Sequence, residues 1–264
     1  MRHLCLALFL LCTLPAQAED AAIAALLARQ GLQGTLVIAS LDGRIRHVHD
    51  EARAAQAVSP ASTFKIINTL IALENGAISP DETFHWDGRP HEMAAWNRDL
   101  SLSQAFQVSC VWCYQELAQR IGPEPYRRAL AGTPYTALPG QFELTRFWLD
   151  ASLRISALEQ VELLRRIHLR QLPFQAAHYD TLQTIMLAET GPGYRLYAKT
   201  GWGGRQQPEA SWYVGYVDTP AGSWLFATRL EIHDPAQLPL RQTLTRAALV
   251  EKGILPPADP DQMP

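Results

Sequence analysis

The sequence places a serine and a lysine three residues apart in an apolar segment, at Ser62 and Lys65 of the run Ser-Thr-Phe-Lys-Ile-Ile. Lysine is rare in this chain, because only three of its 23 basic residues are lysines. An arginine keeps its charge near neutral pH, whereas a buried lysine can lose its proton. A neutral amine within reach of a hydroxyl can activate it as a nucleophile. We therefore predict that Ser62 and Lys65 begin a helix, share one of its faces and form a nucleophile–base pair.

A second motif whose side chains could take part in catalysis or binding is Lys199-Thr200-Gly201, at the end of a predicted strand. The lysine and the hydroxyl offer a cation and a hydrogen-bonding group to a cleft, and the glycine lets another molecule approach closely. Each motif also has a plain structural interpretation: chance spacing for the first and an ordinary strand end for the second. Because two of only three lysines fall in these two motifs, a joint coincidence is much rarer than either match alone.

A third motif, Ser109-Cys110-Val111, lies between the other two in a stretch that we predict to be helical. The order Ser-x-x-Lys, Ser-x-Val, Lys-Thr-Gly resembles that of the class D β-lactamases, the oxacillinases, within the serine enzymes that recognise penicillin. Class A enzymes would carry Ser-Asp-Asn at the middle motif, which this chain lacks. The flanking segments that agree with the resemblance are Pro-Ala-Ser-Thr-Phe-Lys-Ile at 60–66, Phe-x-Trp-Asp-Gly at 84–88, Phe-Trp-Leu at 147–149, Ile-Ser-Ala-x-Glu-Gln at 155–160, Ala-Lys-Thr-Gly-Trp at 198–202 and Leu-Pro-Leu-Arg at 238–241.

The resemblance implies how the covalent chemistry would be divided. Ser62 would be the acylated nucleophile, and Lys65 would be carboxylated by CO₂ to N6-carboxylysine, the general base of both half-reactions. Ser109 would relay a proton toward the leaving nitrogen. Trp148 would donate a hydrogen bond to the carboxylated lysine, whose pocket Val111 and Leu149 would keep dry. The family uses no metal and no other cofactor, so CO₂ or bicarbonate is the single small molecule required besides substrate.

The resemblance also implies a binding site for β-lactam substrates. Lys199 and Thr200 would meet the substrate carboxylate, with Arg241 as its second anchor. The backbone N–H groups of Ser62 and Trp202 would form the oxyanion hole. Gly201 would belong to the same site, and Trp202 and Met93 would line the cleft.

Elementary physical chemistry agrees with a carboxylated Lys65. A free lysine titrates at about 10.4, so at neutral pH it is a cation and cannot attack CO₂. A dry apolar pocket disfavours the cation and releases the neutral amine. An indole N–H can only donate, so Trp148 suits a buried anion. The residues that we expect to wall the pocket are Phe64, Ile66, Ile67, Val111, Trp148 and Leu149.

Two stretches depart from the family pattern or have no part in it. Class D enzymes usually carry Tyr-Gly-Asn before Phe-Trp-Leu, whereas this chain has Thr133-Pro134-Tyr135-Thr136-Ala137, in which only the tyrosine matches. This difference predicts a rebuilt loop at 132–147 and a changed support of the Trp148 region. Cys110 and Cys113 can be a redox pair, half of a metal site, a structural disulfide or two buried thiols. The spacing favours the last two alternatives equally, since within a helix an i, i+3 bridge is strained.

The first 18 residues have the pattern of a cleaved signal peptide. A positive start precedes the apolar run 4–14, and Ala-Gln-Ala ends at residue 18. Cleavage of the signal peptide removes Arg2 and no acidic residue, so the net charge changes from −3 to 22 − 26 = −4. A negative net charge does not favour a nucleic-acid partner. We therefore expect an exported, periplasmic protein without stable membrane insertion, as a monomer or a homodimer.

These motifs need a scaffold, and the pattern predicts one catalytic domain over residues 19–264. Strand patterns lie at both ends of the chain and helix patterns fill the middle. We predict an α+β fold in which both ends pair into one antiparallel sheet, flanked by helices and joined to a mainly helical lobe. The predicted function is a serine β-lactamase that confers β-lactam resistance. The alternatives are a penicillin-binding peptidoglycan enzyme and a β-lactam sensor domain that is acylated without turnover.

Overall fold

A computed structural model describes residues 19–203 and 209–257. The predicted signal peptide at 1–18 lies outside the described residues. The α-helices are α1 (Ala21–Arg29), α2 (Glu51–Ala54), α3 (Lys65–Glu74), α4 (Leu102–Gln107), α5 (Val111–Ile121), α6 (Pro123–Leu130), α7 (Ala157–His168), α8 (Ala176–Met186) and α9 (Leu240–Glu251). The strands are β1 (Gln33–Ser40), β2 (Arg46–His49), β3 (Thr83–Phe84), β4 (Leu100–Ser101), β5 (Leu187–Gly191), β6 (Tyr194–Gly203), β7 (Glu209–Thr219) and β8 (Gly222–Ile232).

The main sheet joins the two ends of the chain, as predicted. Its six strands follow the order β2-β1-β8-β7-β6-β5, and every neighbouring pair is antiparallel. Strand β1 pairs with β8 over its whole length, from Gln33 opposite Glu231 to Ser40 opposite Trp224. The predicted α+β class with a sheet built from both chain ends is confirmed.

Both faces of the sheet are covered, and the alternation of side chains along each strand divides them between two cores. In β1, Leu36 and Ile38 pack with α1 and α9, whereas Val37 and Ala39 belong to the larger core on the opposite face. Helix α7 crosses that second face, and the helical lobe extends the same core. Strand β6 contacts both α8 and the segment around Ser62, so residues from the sheet and from the helical lobe meet along this strand.

Local sequence signals explain where several elements begin. Both predicted capping boxes form: Ser101 accepts from the N–H of Gln104 at the start of α4, and Ser156 accepts from that of Glu159 at the start of α7. Asp20 caps α1 more simply, by accepting the N–H of Ile23 with its carboxylate. The segment at Ser62 differs from a simple helix start, because a 3-10 turn over Ala61–Phe64 precedes the α-helical turns that begin at Lys65.

The middle motif departs from the predicted helix. Ser109 and Cys110 lie between α4 and α5, and α5 begins only at Val111. Ser109 has a φ of 57°, which an L-residue with a Cβ rarely adopts, so the chain turns sharply at this serine. Within the described ranges, none of the helices has the length and apolar character needed to cross a membrane.

Candidate active site

The nucleophile candidate Ser62 lies in a tight turn pressed against strand β6. Ala61 before it has a φ of 48°, and Thr63 after it bonds to the Pro60 carbonyl oxygen through its hydroxyl at 2.7 Å. A Cβ at Gly201 would lie 3.0 Å from Thr63 Cγ2 and 3.1 Å from the Pro60 oxygen. A side chain at Gly201 would therefore crowd the serine turn, which packs directly on the strand backbone.

Lys65 lies directly below the serine. Its side chain is completely buried, and Nζ hydrogen-bonds with Ser62 Oγ at 3.1 Å. Burial disfavours the ammonium form and lowers the pKa of Lys65 from 10.5 to about 7. The amine is thus available in its neutral form near neutral pH, within hydrogen-bonding distance of the hydroxyl that it would activate.

The walls around Lys65 are aromatic and apolar. Nζ lies 4.9 Å from the centre of the Tyr114 ring, and the hydroxyl of Tyr114 is occupied by Thr69 at 2.8 Å. Phe64 stacks on Trp148 with ring centres 5.6 Å apart. Trp148 is fully buried, yet its indole N–H has no hydrogen-bond partner among the described residues. An unpaired buried donor costs free energy, so this N–H marks a place where an acceptor would be stabilised.

Two further motif residues meet across the cleft. The amine of Lys199 on β6 hydrogen-bonds with the hydroxyl of Ser109, and with the backbone oxygen of Thr200 at 3.0 Å. Lys199 is 3% exposed. Burial, and then the positive charges of Lys65 and Arg241, lower the pKa of Lys199 well below its ordinary value. The left-handed turn at Ser109 is what aims this hydroxyl at the strand.

Arg241, on α9, reaches the same end of β6. Its Nη1 donates to the carbonyl oxygen of Gly201 at 3.0 Å and to the Ser211 hydroxyl at 3.2 Å. Burial lowers the pKa of Arg241 to about 10, so the guanidinium remains charged at neutral pH. Arg241 therefore supplies a lasting positive charge next to Lys199 and Thr200, on the strand that packs against the Ser62 turn.

The residues predicted to line the cleft and the lysine pocket differ in exposure. Met93 and Trp202 are among the large apolar side chains that remain exposed, at 44% and 38%. Val111 and Leu149 are partly buried, and Leu149 packs against the larger core. Trp202 also bonds to the Glu209 carboxylate through its indole N–H.

Cys110 and Cys113 form a disulfide, with their Cα atoms 5.5 Å apart. Both residues are fully buried. The strain expected of a bridge within a helix does not arise, because Cys110 is the N-cap residue and lies outside the helical turns of α5. The structure therefore contains the bridge, one of the two alternatives that the spacing favoured equally.

The altered loop at 132–147 is connected to the nucleophile segment. Thr136 donates its N–H to the Arg154 oxygen at 3.0 Å, and its hydroxyl accepts from the Arg154 N–H at 2.9 Å. The next residue, Ile155, pairs with Val58, four residues before Ser62. Tyr135 is buried against Phe64, with ring centres 5.8 Å apart. The loop is thus tied to the site by contacts that do not need Tyr-Gly-Asn.

The sequence did not predict the residues that contact the motif side chains from the side away from the substrate and fix their positions. These are Ser211 beneath Arg241, Tyr114 beneath Lys65, and Gln160, whose amide donates to the Thr63 hydroxyl at 2.7 Å. The segment Ile-Ser-Ala-x-Glu-Gln contains Gln160, but nothing in its local pattern indicates a contact 97 residues away. In the part of the chain that the structure describes, no group of three or more His, Cys, Asp or Glu side chains could hold a metal ion.

Comparisons with known proteins agree with this geometry. Residues 36–249 match the family model of the penicillin binding protein transpeptidase domain. The chain is 35% identical to β-lactamase OXA-48 of Klebsiella pneumoniae over 225 residues, which cover 85% of each protein.

Two solved structures extend the similarity to the fold. The class D β-lactamase YbXI from Nostoc superimposes with a TM-score of 0.85 at 36% identity, covering 88% of this chain and 99% of that one. FUS-1 (OXA-85), a class D β-lactamase from Fusobacterium nucleatum subsp. polymorphum, superimposes with a TM-score of 0.86 at 32% identity, and the match covers 90% of this chain and 100% of that one. With the three motifs gathered in one cleft and this similarity along most of its length, the chain belongs to the class D β-lactamases.

Proposed function

We propose that this protein hydrolyses β-lactams through an acyl-Ser62 intermediate, with carboxylated Lys65 as general base. The observation that carries the proposal is the pair described above: a completely buried lysine, with a pKa of about 7, whose Nζ lies 3.1 Å from Ser62 Oγ. A hydroxyl needs a base to become a nucleophile at neutral pH, and this amine is the one base in contact with it among the described residues.

A carboxyl group on Lys65 is supported by the donors and apolar walls around it. Reaction with CO₂ requires the neutral amine, which burial favours. The product would be a buried anion, and the unpaired indole N–H of Trp148 is a donor without another acceptor in the described ranges. Carboxylated Lys65 would supply a base for both acylation and deacylation. Trp148 would hold it in place, while Val111 and Leu149 would restrict water.

Ser109 and Lys199 would deliver a proton to the leaving nitrogen. The amine of Lys199 donates a hydrogen bond to the hydroxyl of Ser109. Because burial and neighbouring cations lower the pKa of Lys199, this amine gives up a proton more readily than a lysine in water. Ser109 would pass a proton from that side of the cleft to the nitrogen as the β-lactam amide bond breaks.

The substrate carboxylate would bind in the corner formed by Thr200, Lys199 and Arg241. Nη1 of the guanidinium is engaged by Gly201 and Ser211, so the group is held in a fixed orientation in which it would pair with the carboxylate. The backbone N–H groups of Ser62 and Trp202 would bind the developing oxyanion. This arrangement would place the β-lactam carbonyl carbon next to Ser62 Oγ.

We further propose that the enzyme works in the periplasm. The signal-peptide pattern of residues 1–18 supports export, and the disulfide fits an oxidising compartment. There the enzyme would meet β-lactams before they reach their targets in cell-wall synthesis, and hydrolysis would confer resistance.

Steady-state turnover of a chromogenic cephalosporin, combined with intact-mass spectrometry of the protein incubated with a penicillin, tests this function. We expect many turnovers per enzyme and a short-lived adduct at Ser62. The Ser62→Ala variant should form no adduct and give no turnover. A single stoichiometric burst with a persistent adduct would instead identify a sensor or a penicillin-binding enzyme, and would contradict the proposal.

A further inference from the structure

We propose that the disulfide between Cys110 and Cys113 is a positioning element of the active site, which fixes the turn carrying Ser109 and thereby keeps its hydroxyl on Lys199. The inference rests on the proposed function, because the Ser109–Lys199 contact matters only to a serine acyl-transfer reaction. The bridge lies immediately beside the reacting groups: Cys110 follows Ser109, and Val111 stands inside the linked segment.

The turn needs an external constraint. Ser109 has a φ of 57°, a conformation that persists in residues other than glycine only where the surroundings hold it. The backbone N–H of Ser109 donates to the carbonyl oxygen of Phe106 at 3.1 Å, and the backbone N–H of Cys110 donates to the carbonyl oxygen of Ala105 at 2.9 Å. These bonds tie the turn to α4. They do nothing to fix its relation to α5.

The disulfide adds a side-chain link between the turn and the first turn of α5, beyond the backbone that joins Cys110 to Val111. Cys110 is the N-cap residue of this helix, and its sulfur accepts the N–H of Cys113 at 3.2 Å. Helix N-caps usually use the oxygen of Ser, Thr, Asp or Asn, whereas sulfur is a weak acceptor. The covalent bond therefore does what the cap hydrogen bond does poorly, which is to hold the residue after Ser109 at a fixed place on the helix.

The rim of the cleft depends on the same turn. Trp96 donates its indole N–H to the carbonyl oxygen of Val108 at 2.9 Å, and Trp112 donates to that of Trp96 at 3.0 Å. Val108 precedes Ser109, and Trp112 lies within the linked segment. A loosened turn would consequently disturb both the Ser109–Lys199 contact and the loop that carries Met93.

The disulfide closes only a short loop, so its effect on the position of the active-site turn can be distinguished from an effect on the stability of the whole fold. The two cysteines are three residues apart, and the stabilisation of the whole fold by a disulfide decreases as the loop that it closes becomes shorter. We therefore expect the loss of this bridge to affect the site more than the melting temperature.

The first test is the redox state of the native protein. The chain from residue 19 onward is used, because residues 1–18 carry the other two cysteines, Cys5 and Cys12. Its denaturation in the presence of a thiol-alkylating reagent, followed by intact-mass measurement, should give unmodified protein. Two alkylated cysteines would overturn the proposal, since the positioning element would then be absent.

The second test compares two variants with the wild type. C110A/C113A removes the bridge and the cap, whereas C110S/C113A removes the bridge but provides a hydroxyl at the N-cap. For each, we would measure the acylation rate with a chromogenic cephalosporin, the adduct lifetime, and the ¹³C signal of carboxylated Lys65 in ¹³C-bicarbonate. We expect acylation to fall about tenfold or more in both variants, with adduct lifetime and ¹³C signal retained.

Each other outcome has a defined meaning. Wild-type acylation in C110A/C113A, or full recovery in C110S/C113A, would overturn the role of the covalent bond. An equal loss of all three readouts in the folded variants would indicate general destabilisation and also overturn it. If C110A/C113A fails to fold, C110S/C113A alone decides. A wild type that is acylated but never turns over would refute hydrolysis alone, whereas one that is never acylated would refute both proposals.

Discussion

Arg241 is held in place by Ser211: its Nη1 donates to the Ser211 hydroxyl at 3.2 Å, although the two residues are 30 positions apart on α9 and β7. Ser211 is completely buried, so its hydroxyl is unavailable to a ligand, and within the described ranges it bonds to the guanidinium. The second acceptor of Nη1 is the carbonyl oxygen of Gly201. Ser211 therefore fixes the orientation of a cation that would bind the substrate carboxylate.

We predict that Ser211→Ala raises KM for penicillins about fivefold and leaves kcat nearly unchanged. Hydrogen bonds to charged groups contribute about 1.5–3 kcal/mol, and the Gly201 oxygen would retain part of this. Binding of the carboxylate is shared by ground and transition states, so its loss appears in KM. Steady-state kinetics would check this, with Ser223→Ala as a control that removes a hydroxyl bond on β8 far from Arg241. Unaltered KM in Ser211→Ala would contradict the positioning role.

We predict that Lys65→Arg abolishes turnover by at least about a thousandfold, in the range that a general base contributes. Arginine keeps the positive charge, but it cannot release its proton or capture CO₂ at neutral pH. The matched control is Lys252→Arg, since Lys252 forms an ion pair with Asp20 on the opposite side of the sheet and should tolerate the exchange.

Because a permanent charge in a dry pocket also endangers folding, Lys65→Met provides a neutral comparison, and circular dichroism of all three variants separates misfolding from lost chemistry. Substantial activity in folded Lys65→Arg would refute the assignment of the base.

We predict that activity depends on bicarbonate and that this dependence strengthens as pH falls. The pKa of Lys65 is lowered to about 7, so the neutral amine dominates above this pH and the ammonium dominates below it. Only the neutral form reacts with CO₂, hence carboxylation is favoured at pH 8 and lost progressively toward pH 6. Enzyme stripped of CO₂ at pH 6 should lose most of its activity and recover it when bicarbonate is added. Equal rates under all of these conditions would argue against carboxylation.

We predict that Trp148→Phe weakens CO₂ binding about ten- to a hundredfold, because one hydrogen bond to a buried anion is lost while the aromatic bulk remains. Activity should fall in air-equilibrated buffer and be rescued by high bicarbonate. Titration of activity and of the ¹³C signal of carboxylated Lys65 would measure the shift.

The control for this variant is Trp86→Phe, which removes an indole N–H that donates to Arg89 on the surface. A bicarbonate requirement in Trp148→Phe equal to that of the wild type would show that the unpaired indole N–H has another purpose.

The sequence by itself determined the elements and the chemistry within each of them. Period-two alternation and capping boxes depend on neighbouring residues, so the strands at both chain ends and the starts of α4 and α7 could be predicted. The spacing of Ser62 and Lys65 fixes their contact for the same reason, since one helical turn joins them.

Only the tertiary structure determined how elements that are distant in the sequence come together to complete the site. Ser211 reaches Arg241, and Gln160 reaches Thr63, only because α9 and α7 pack on the sheet and on the nucleophile turn. The left-handed turn at Ser109 was wrongly predicted as helix, because its conformation is imposed by the groups that surround it rather than by its own sequence. Burial, which sets the pKa of Lys65, is likewise a property of the folded surroundings and not of the residue.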